Sequence, residues 1–229
     1  MATVLFGGLA IISAFLSKSG NLPHLFARAW ARSILWVSGV NVSVKGVEHI
    51  ETDRSYIFMA NHQSNFDIPV LLGCLPVQFR WLAKAELFRI PLFGPAMRGC
   101  GYISIDRTNR KSAFRSLEQA AKTIREGTSV IIFPEGTRSS DGKIKTFKKG
   151  GFVLTLNAGV PIVPLVISGT WPVMPRSDLR IRPGRVTLEI LPPVDTSQYT
   201  RRNKELLMDR IRDLLCENFE KLQGEKACN

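Results

Sequence analysis

Short, unbroken apolar runs that stop abruptly at polar or glycine-rich turns constrain this chain more than any other feature. Val130-Ile131-Ile132-Phe133 is the clearest: four apolar residues in a row, then Pro134-Glu135-Gly136-Thr137-Arg138-Ser139. Such a run suits a strand buried on both faces, as in a parallel sheet covered by helices. The same pattern recurs from Gly39 onward, with candidate strands at Val42–Val47, Tyr56–Ala60, Phe79–Ala83, Gly101–Ile105, Ser129–Phe133, Val160–Ile167 and Arg185–Ile190. Between and after them fall candidate helices at Asn65–Cys74, Pro91–Cys100, Ser112–Glu126, Gly150–Ala158 and Arg202–Gly224. Gly127 and Gly159 stand where helices end on a glycine. Strand–helix alternation predicts an α/β fold, a single domain with a mostly parallel mixed sheet flanked by helices. Two prolines in Val160–Ile167 point to an irregular or edge strand. Ligands of such sheets bind beyond the carboxyl ends of the strands.

The first 38 residues read differently. Val4–Leu16 is apolar and uncharged, and its roughly 13 residues span about 20 Å as a helix, short of the ~30 Å hydrocarbon core. No Lys or Arg precedes it and no A-x-A site follows, which argues against a secretory signal. Leu22–Val37 places Leu22, Leu25, Phe26, Ala29, Trp30, Ser33, Ile34 and Val37 at helical spacing, with Arg28 and Arg32 on the other side. Three readings stand: a membrane-associating pair of helices dipping into one leaflet, an apolar pair packed on the domain, or a full transmembrane helix that begins at residue 1. The division expected is 1–38 as a two-helix membrane anchor and 39–229 as the α/β domain.

The formal net charge is +12 over 229 residues. That surplus selects a polyanionic partner: nucleic acid, an anionic membrane or a phosphorylated substrate. Nucleic-acid binding favours aromatics interleaved with a basic stripe, whereas here the aromatics sit in apolar runs, so no nucleic acid is expected. Cys74, Cys100, Cys216 and Cys228 lack zinc-ligand spacing, and no metal is expected.

Chemistry concentrates at four strand ends. Asn61-His62-Gln63-Ser64-Asn65-Phe66-Asp67 puts a base candidate and a carboxylate five residues apart. Asp67 either fixes the tautomer of His62 or closes a capping box with Ser64. Gly101-Tyr102-Ile103-Ser104-Ile105-Asp106-Arg107 delivers Arg107 to the same rim, as an anion ligand or as a surface partner of Asp106. In the third block, Gly136 allows close approach of a ligand and Arg138 offers a planar fork for phosphate. Thr137 and Ser139 add hydroxyls, and Glu135 either holds an arginine or accepts from a substrate hydroxyl. Lys148 and Lys149, close by, are additional anion-binding candidates or solvated loop charges. Val160-Pro161-Ile162-Val163-Pro164-Leu165-Val166-Ile167-Ser168-Gly169 is either an apolar wall for a greasy substrate or plain core.

NHQSNFD, GYISIDR, FPEGTRS and VPIVPLVISG, in this order and at these separations, resemble the four blocks of the glycerolipid acyltransferases, most nearly the bacterial 1-acylglycerol-3-phosphate type. The resemblance runs from about Val42 to Gly169. Ser104 departs from the bulky apolar residue usual in the second block. The resemblance implies transfer of a fatty acyl group from acyl-CoA or acyl-acyl carrier protein, as donor substrate and with no cofactor, to the sn-2 hydroxyl of lysophosphatidic acid. His62 would be the general base and Asp67 its orienter, while Arg107, Glu135, Gly136, Thr137 and Arg138 would hold the glycerol phosphate. It also implies a monotopic enzyme on a phospholipid surface, at the cytoplasmic face of the inner (plasma) membrane. No GxSxG elbow is present, which fits direct attack on a thioester and disfavours a thioesterase. Acylation of another lysolipid is the nearest alternative, and a non-catalytic basic membrane-binding module is the alternative from another class.

Overall fold

A computed structural model of the chain describes residues 2–17, 19–106 and 110–224. The described residues form one seven-stranded sheet in the order β1-β7-β6-β2-β5-β3-β4. The strands are β1 (Val40–Lys45), β2 (Ile57–Ala60), β3 (Arg80–Lys84), β4 (Ile103–Ile105), β5 (Val130–Ile132), β6 (Ile162–Ser168) and β7 (Gly184–Ile190). All neighbours run parallel except β6 and β7. The sheet is thus mixed but mostly parallel, as the alternation predicted.

The apolar runs are uninterrupted because both faces of the sheet are covered. On β2, Phe58 and Ala60 point to one core with Ile131, Val163 and Leu165, while Ile57 and Met59 point to the other with Val130, Ile132 and Val166. The first core is closed by α2 (Asn21–Val37) and α3 (Asp67–Cys74), through Ala31, Leu35, Val70 and Leu71. The second is closed by α5 (Arg110–Arg125), α6 (Lys149–Ala158) and α8 (Lys204–Gln223). On α8 the buried residues Leu207, Ile211, Leu215 and Phe219 recur every fourth position, one stripe of a helix.

The prolines of β6 do not put it at an edge. It is interior, pairing with β2 on one side and β7 on the other. Pro164 still accepts from Leu191 N (3.0 Å) just beyond the end of β7, so the donor it lacks falls at the end of the antiparallel ladder. The irregularity is local, and pairing resumes at Ile162 with Val194.

At the N-terminus, α1 (Ala2–Ala14) and α2 form an antiparallel pair joined by Trp30 Nε1 donating to Thr3 Oγ1 (3.2 Å). Arg80 ties their turn to the sheet by donating to Ser19 O (2.9 Å) and Asn21 Oδ1 (2.6 Å). Among the described residues no helix is long and apolar enough to cross a membrane. The pair also packs toward α4 (Phe93–Gly99), where Gly99 faces the Ala14 side chain.

Candidate active site

The carboxyl ends of three neighbouring strands, β6, β2 and β5, build the site. Asn61 follows β2 and completes its pairing by a side-chain amide: Nδ2 donates to Ile167 O and Oδ1 accepts from Ile167 N, each at 2.8 Å. His62 is the next residue. Its backbone is held on both sides by the loop after β5, because His62 N donates to Glu135 Oε1 (2.7 Å) and Ser139 N donates to His62 O (2.8 Å).

The ring of His62 meets Asp67 through Nδ1, 2.7 Å from Oδ2. Asp67 is fully buried and collects three further donors: Gln63 N (2.7 Å) and Ser64 N (2.9 Å) on Oδ2, and Thr170 Oγ1 (2.6 Å) on Oδ1. Since Oδ2 accepts from two backbone amides, it accepts from the ring as well. Nδ1 therefore carries the proton, and Nε2 of the neutral ring is left with its lone pair. The capping-box reading of Asp67 does not hold: α3 begins at Asp67 itself, with Phe66 as its cap and no side-chain cap bond, and Asp67 N donates to Ser64 O rather than to the Ser64 hydroxyl. One face of His62 stacks on Phe133 (3.8 Å, 10° between planes), which in turn stacks on Trp81.

The other two histidines are occupied elsewhere. His24 is fully buried and bonds Tyr102 Oη at 3.2 Å; burial first, then the Arg80 and Arg28 charges, lower its pKa to about 3. His49 Nδ1 lies 2.8 Å from Ile190 O.

His62 lines a cavity of about 710 Å³. Its body is apolar, walled by Phe6 and Ala10 of α1, Trp30 of α2, Leu72 of α3 and Met97 of α4, with Trp81 and Phe133 beside the histidine. Cationic groups also line it: Lys84, Arg138 and Arg176, together with Gly136 and Thr137. Arg176 donates to Arg138 O (3.2 Å), so the loop before β7 touches the loop after β5. Gly136 has φ 73°, a left-handed conformation that favours glycine and turns the chain into this wall.

Several expected roles change in place. Glu135 lies behind the wall at 2% exposure, and among the described residues its oxygens accept from the backbone, from His62 N (2.7 Å) and Lys145 N (2.9 Å). Burial raises its pKa from 4.5 to about 7, against the opposing pull of those amides. Lys148 and Lys149 stay off the cavity, where Lys149 Nζ pairs with Glu205 Oε1 of α8 at 3.1 Å. Arg107 lies outside the described residues. The VPIVPLVISG segment is core rather than wall, since Ile162–Ser168 is buried throughout. Sequence reading missed Thr170, although it follows that block directly. It also missed Lys84, Arg176, Phe133 and Trp81, which reach the site only through sheet pairing and the loop before β7.

A buried carboxylate steering a histidine into a long apolar cavity with a cationic rim defines a class of sites suited to amphiphiles bearing an anionic head. The acyltransferase family model matches residues 41–168, from β1 to the end of β6. A 1-acyl-sn-glycerol-3-phosphate acyltransferase of Limnanthes alba is 32% identical over 87% of this chain and 70% of its own. The alpha form from Homo sapiens is 30% identical over 97% and 79%. The crystal structure of the 1-acyl-sn-glycerophosphate (LPA) acyltransferase PlsC from Thermotoga maritima superposes with a TM-score of 0.83, at 30% identity, covering 97% of this chain and 90% of that one. The chain belongs to the acyltransferase family and is an enzyme of that kind.

Proposed function

We propose that the protein transfers a fatty acyl group from acyl-CoA or acyl-acyl carrier protein to the sn-2 hydroxyl of lysophosphatidic acid, giving phosphatidic acid. The observation that carries this reading is the position of His62: its ring is oriented from behind by Asp67, and it sits where an apolar cavity meets a cationic rim. The relatives named for this reaction support the choice of acceptor.

His62 Nε2 takes the proton of the sn-2 hydroxyl as that oxygen attacks the thioester carbonyl. A C–O bond forms, the C–S bond breaks, and the proton passes from Nε2 to the departing thiolate. General-base assistance of this kind contributes about 10²–10⁴-fold. Asp67 holds the ring in the tautomer that leaves Nε2 basic and stabilises the imidazolium that forms. Arg138, with Arg176 and Lys84, binds the acceptor phosphate, while Gly136 and Thr137 shape the wall beside it. Glu135 is a positioning residue: it fixes the backbone of His62 and the loop that carries Arg138.

The apolar walls accommodate a fatty chain. Because α1 and α2 supply one of those walls and expose Val4, Leu5, Phe15, Leu16, Trp36 and Val37, residues 1–38 serve as a monotopic membrane contact as well as a lid over the chain. This contact would sit at the cytoplasmic face of the inner membrane. The basic surplus favours an anionic lipid surface by about 1 kcal/mol per contacting Lys or Arg.

Purified protein assayed with lysophosphatidic acid and each donor tests the reaction, with product mass identifying acceptor and chain. Arg138→Ala should raise the acceptor KM about tenfold or more with donor KM little changed. An equal rise for both substrates, or faster turnover of a lysolipid without a phosphate monoester, would overturn the assignment of acceptor.

A further inference from the structure

Between the short helix α7 (Thr170–Val173) and β7 runs a loop, 174–183, that the site uses only through Arg176. Its middle reads Asp178-Leu179-Arg180-Ile181-Arg182, with apolar and cationic residues in alternation. Leu179 is 79% exposed and Ile181 51%. The loop is shaped in advance: Asp178 Oδ1 accepts from Arg180 N (2.9 Å), Asp178 Oδ2 accepts from an Arg182 guanidinium nitrogen (2.7 Å), and Arg182 N donates to Val173 O (2.9 Å). Three arginines against one aspartate leave it cationic, and Arg185 adds to this at the start of β7.

The loop adjoins the N-terminal helix pair. Gly184 N donates to Gly39 O (3.3 Å), and Gly39 lies against the ring of Pro183. Gly39 follows directly on the end of α2, where Trp36 is 83% and Val37 75% exposed. The base of the loop, at Pro183, is thus tied to the chain just beyond the end of α2.

We propose that the 174–183 loop is a second membrane-contacting element, which inserts Leu179 and Ile181 into an anionic lipid surface and sets its arginines among the phosphates. The inference rests on the reading of the protein as an interfacial enzyme. Apolar tips between arginines match a lipid boundary, where aliphatic side chains pass below the headgroups and guanidiniums pair with phosphate. An acidic protein partner would satisfy the arginines but gain less from two isolated aliphatic tips. Because Arg176 donates to Arg138 O, docking the loop brings the cationic rim of the cavity against the lipid surface.

The test uses the full chain and phosphatidylcholine vesicles with about 30% phosphatidylglycerol. Leu179→Asp combined with Ile181→Asp should weaken vesicle binding about tenfold or more, leaving turnover of detergent-dispersed lysolipid unchanged. In a second variant, Leu179→Trp, the added emission should be quenched by brominated lipids. Unchanged binding with an unquenched Trp overturns the proposal. So does a Trp signal that responds to acyl carrier protein but not to vesicles. Phe15→Asp with Leu16→Asp probes the helix pair separately: loss of binding there, with none on loop substitution, keeps the interfacial reading and overturns this one.

Discussion

Four donors converge on the two oxygens of Asp67, and they come from two parts of the chain: His62 with the Gln63 and Ser64 amides that follow it, and Thr170. A carboxylate so held has little freedom to turn, which is why it can fix the ring of His62. Thr170→Val leaves Oδ1 buried without its donor, at a cost of about 1–3 kcal/mol. We expect kcat to fall roughly tenfold with KM little changed, and Thr170→Ser to restore it; a KM effect alone would place Thr170 outside the orienting chain. Glu135 and His24 each contribute to the dependence of stability on pH, with opposite signs. Glu135 has a raised pKa in the folded state, so its contribution is full below 4.5 and is lost as pH rises to about 7. His24 has a lowered one, so its contribution is full above 6.5 and is lost as pH falls toward about 3. Thermal melts across this range should show a smaller decline toward neutral and higher pH in Glu135→Gln and a smaller acidic decline in His24→Phe. An unaltered profile in either variant would contradict the assignment of that group.

Elements were legible where burial on both faces leaves a plain mark. All seven strands lie within two residues of the apolar runs that announced them, and the helices between them do likewise. The four-residue α7, with Pro172 inside it, has no such mark, and Thr170 was overlooked with it. The proline argument failed for β6 because a strand interior to the sheet can still offer a position without a ladder donor, here Pro164 where the β7 ladder ends. For the site, the near-neighbour relation of His62 and Asp67 was readable, being set by a turn of five residues. The position of Glu135 was not, because its partners are backbone amides, one of them the distant His62 N, and backbone partners leave no mark in side-chain spacing. Gly169 illustrates the same limit: its φ is 95°, and an added Cβ would collide with the Arg185 carbonyl oxygen. Gly169→Ala should therefore destabilise the protein by about 1–3 kcal/mol or more and shift Thr170 away from Asp67. A melting temperature and activity both equal to wild type would contradict this.

Across the whole molecule, one cavity joins the carboxyl rim of the sheet, with His62, to the N-terminal helices, so α1 and α2 line the candidate site as well as the surface. Deleting residues 1–38 should abolish turnover even on detergent-dispersed substrate, since it removes a wall of the chain-binding cavity; full activity in detergent would assign the pair to membrane contact alone. The central claim, that His62 is the base, is tested most directly by acyl transfer to lysophosphatidic acid in single-turnover conditions, comparing wild type with His62→Ala. The account predicts a fall of at least about 10²-fold with an unchanged melting transition. Transfer within a few-fold of wild type, in a protein that is still folded, would contradict it.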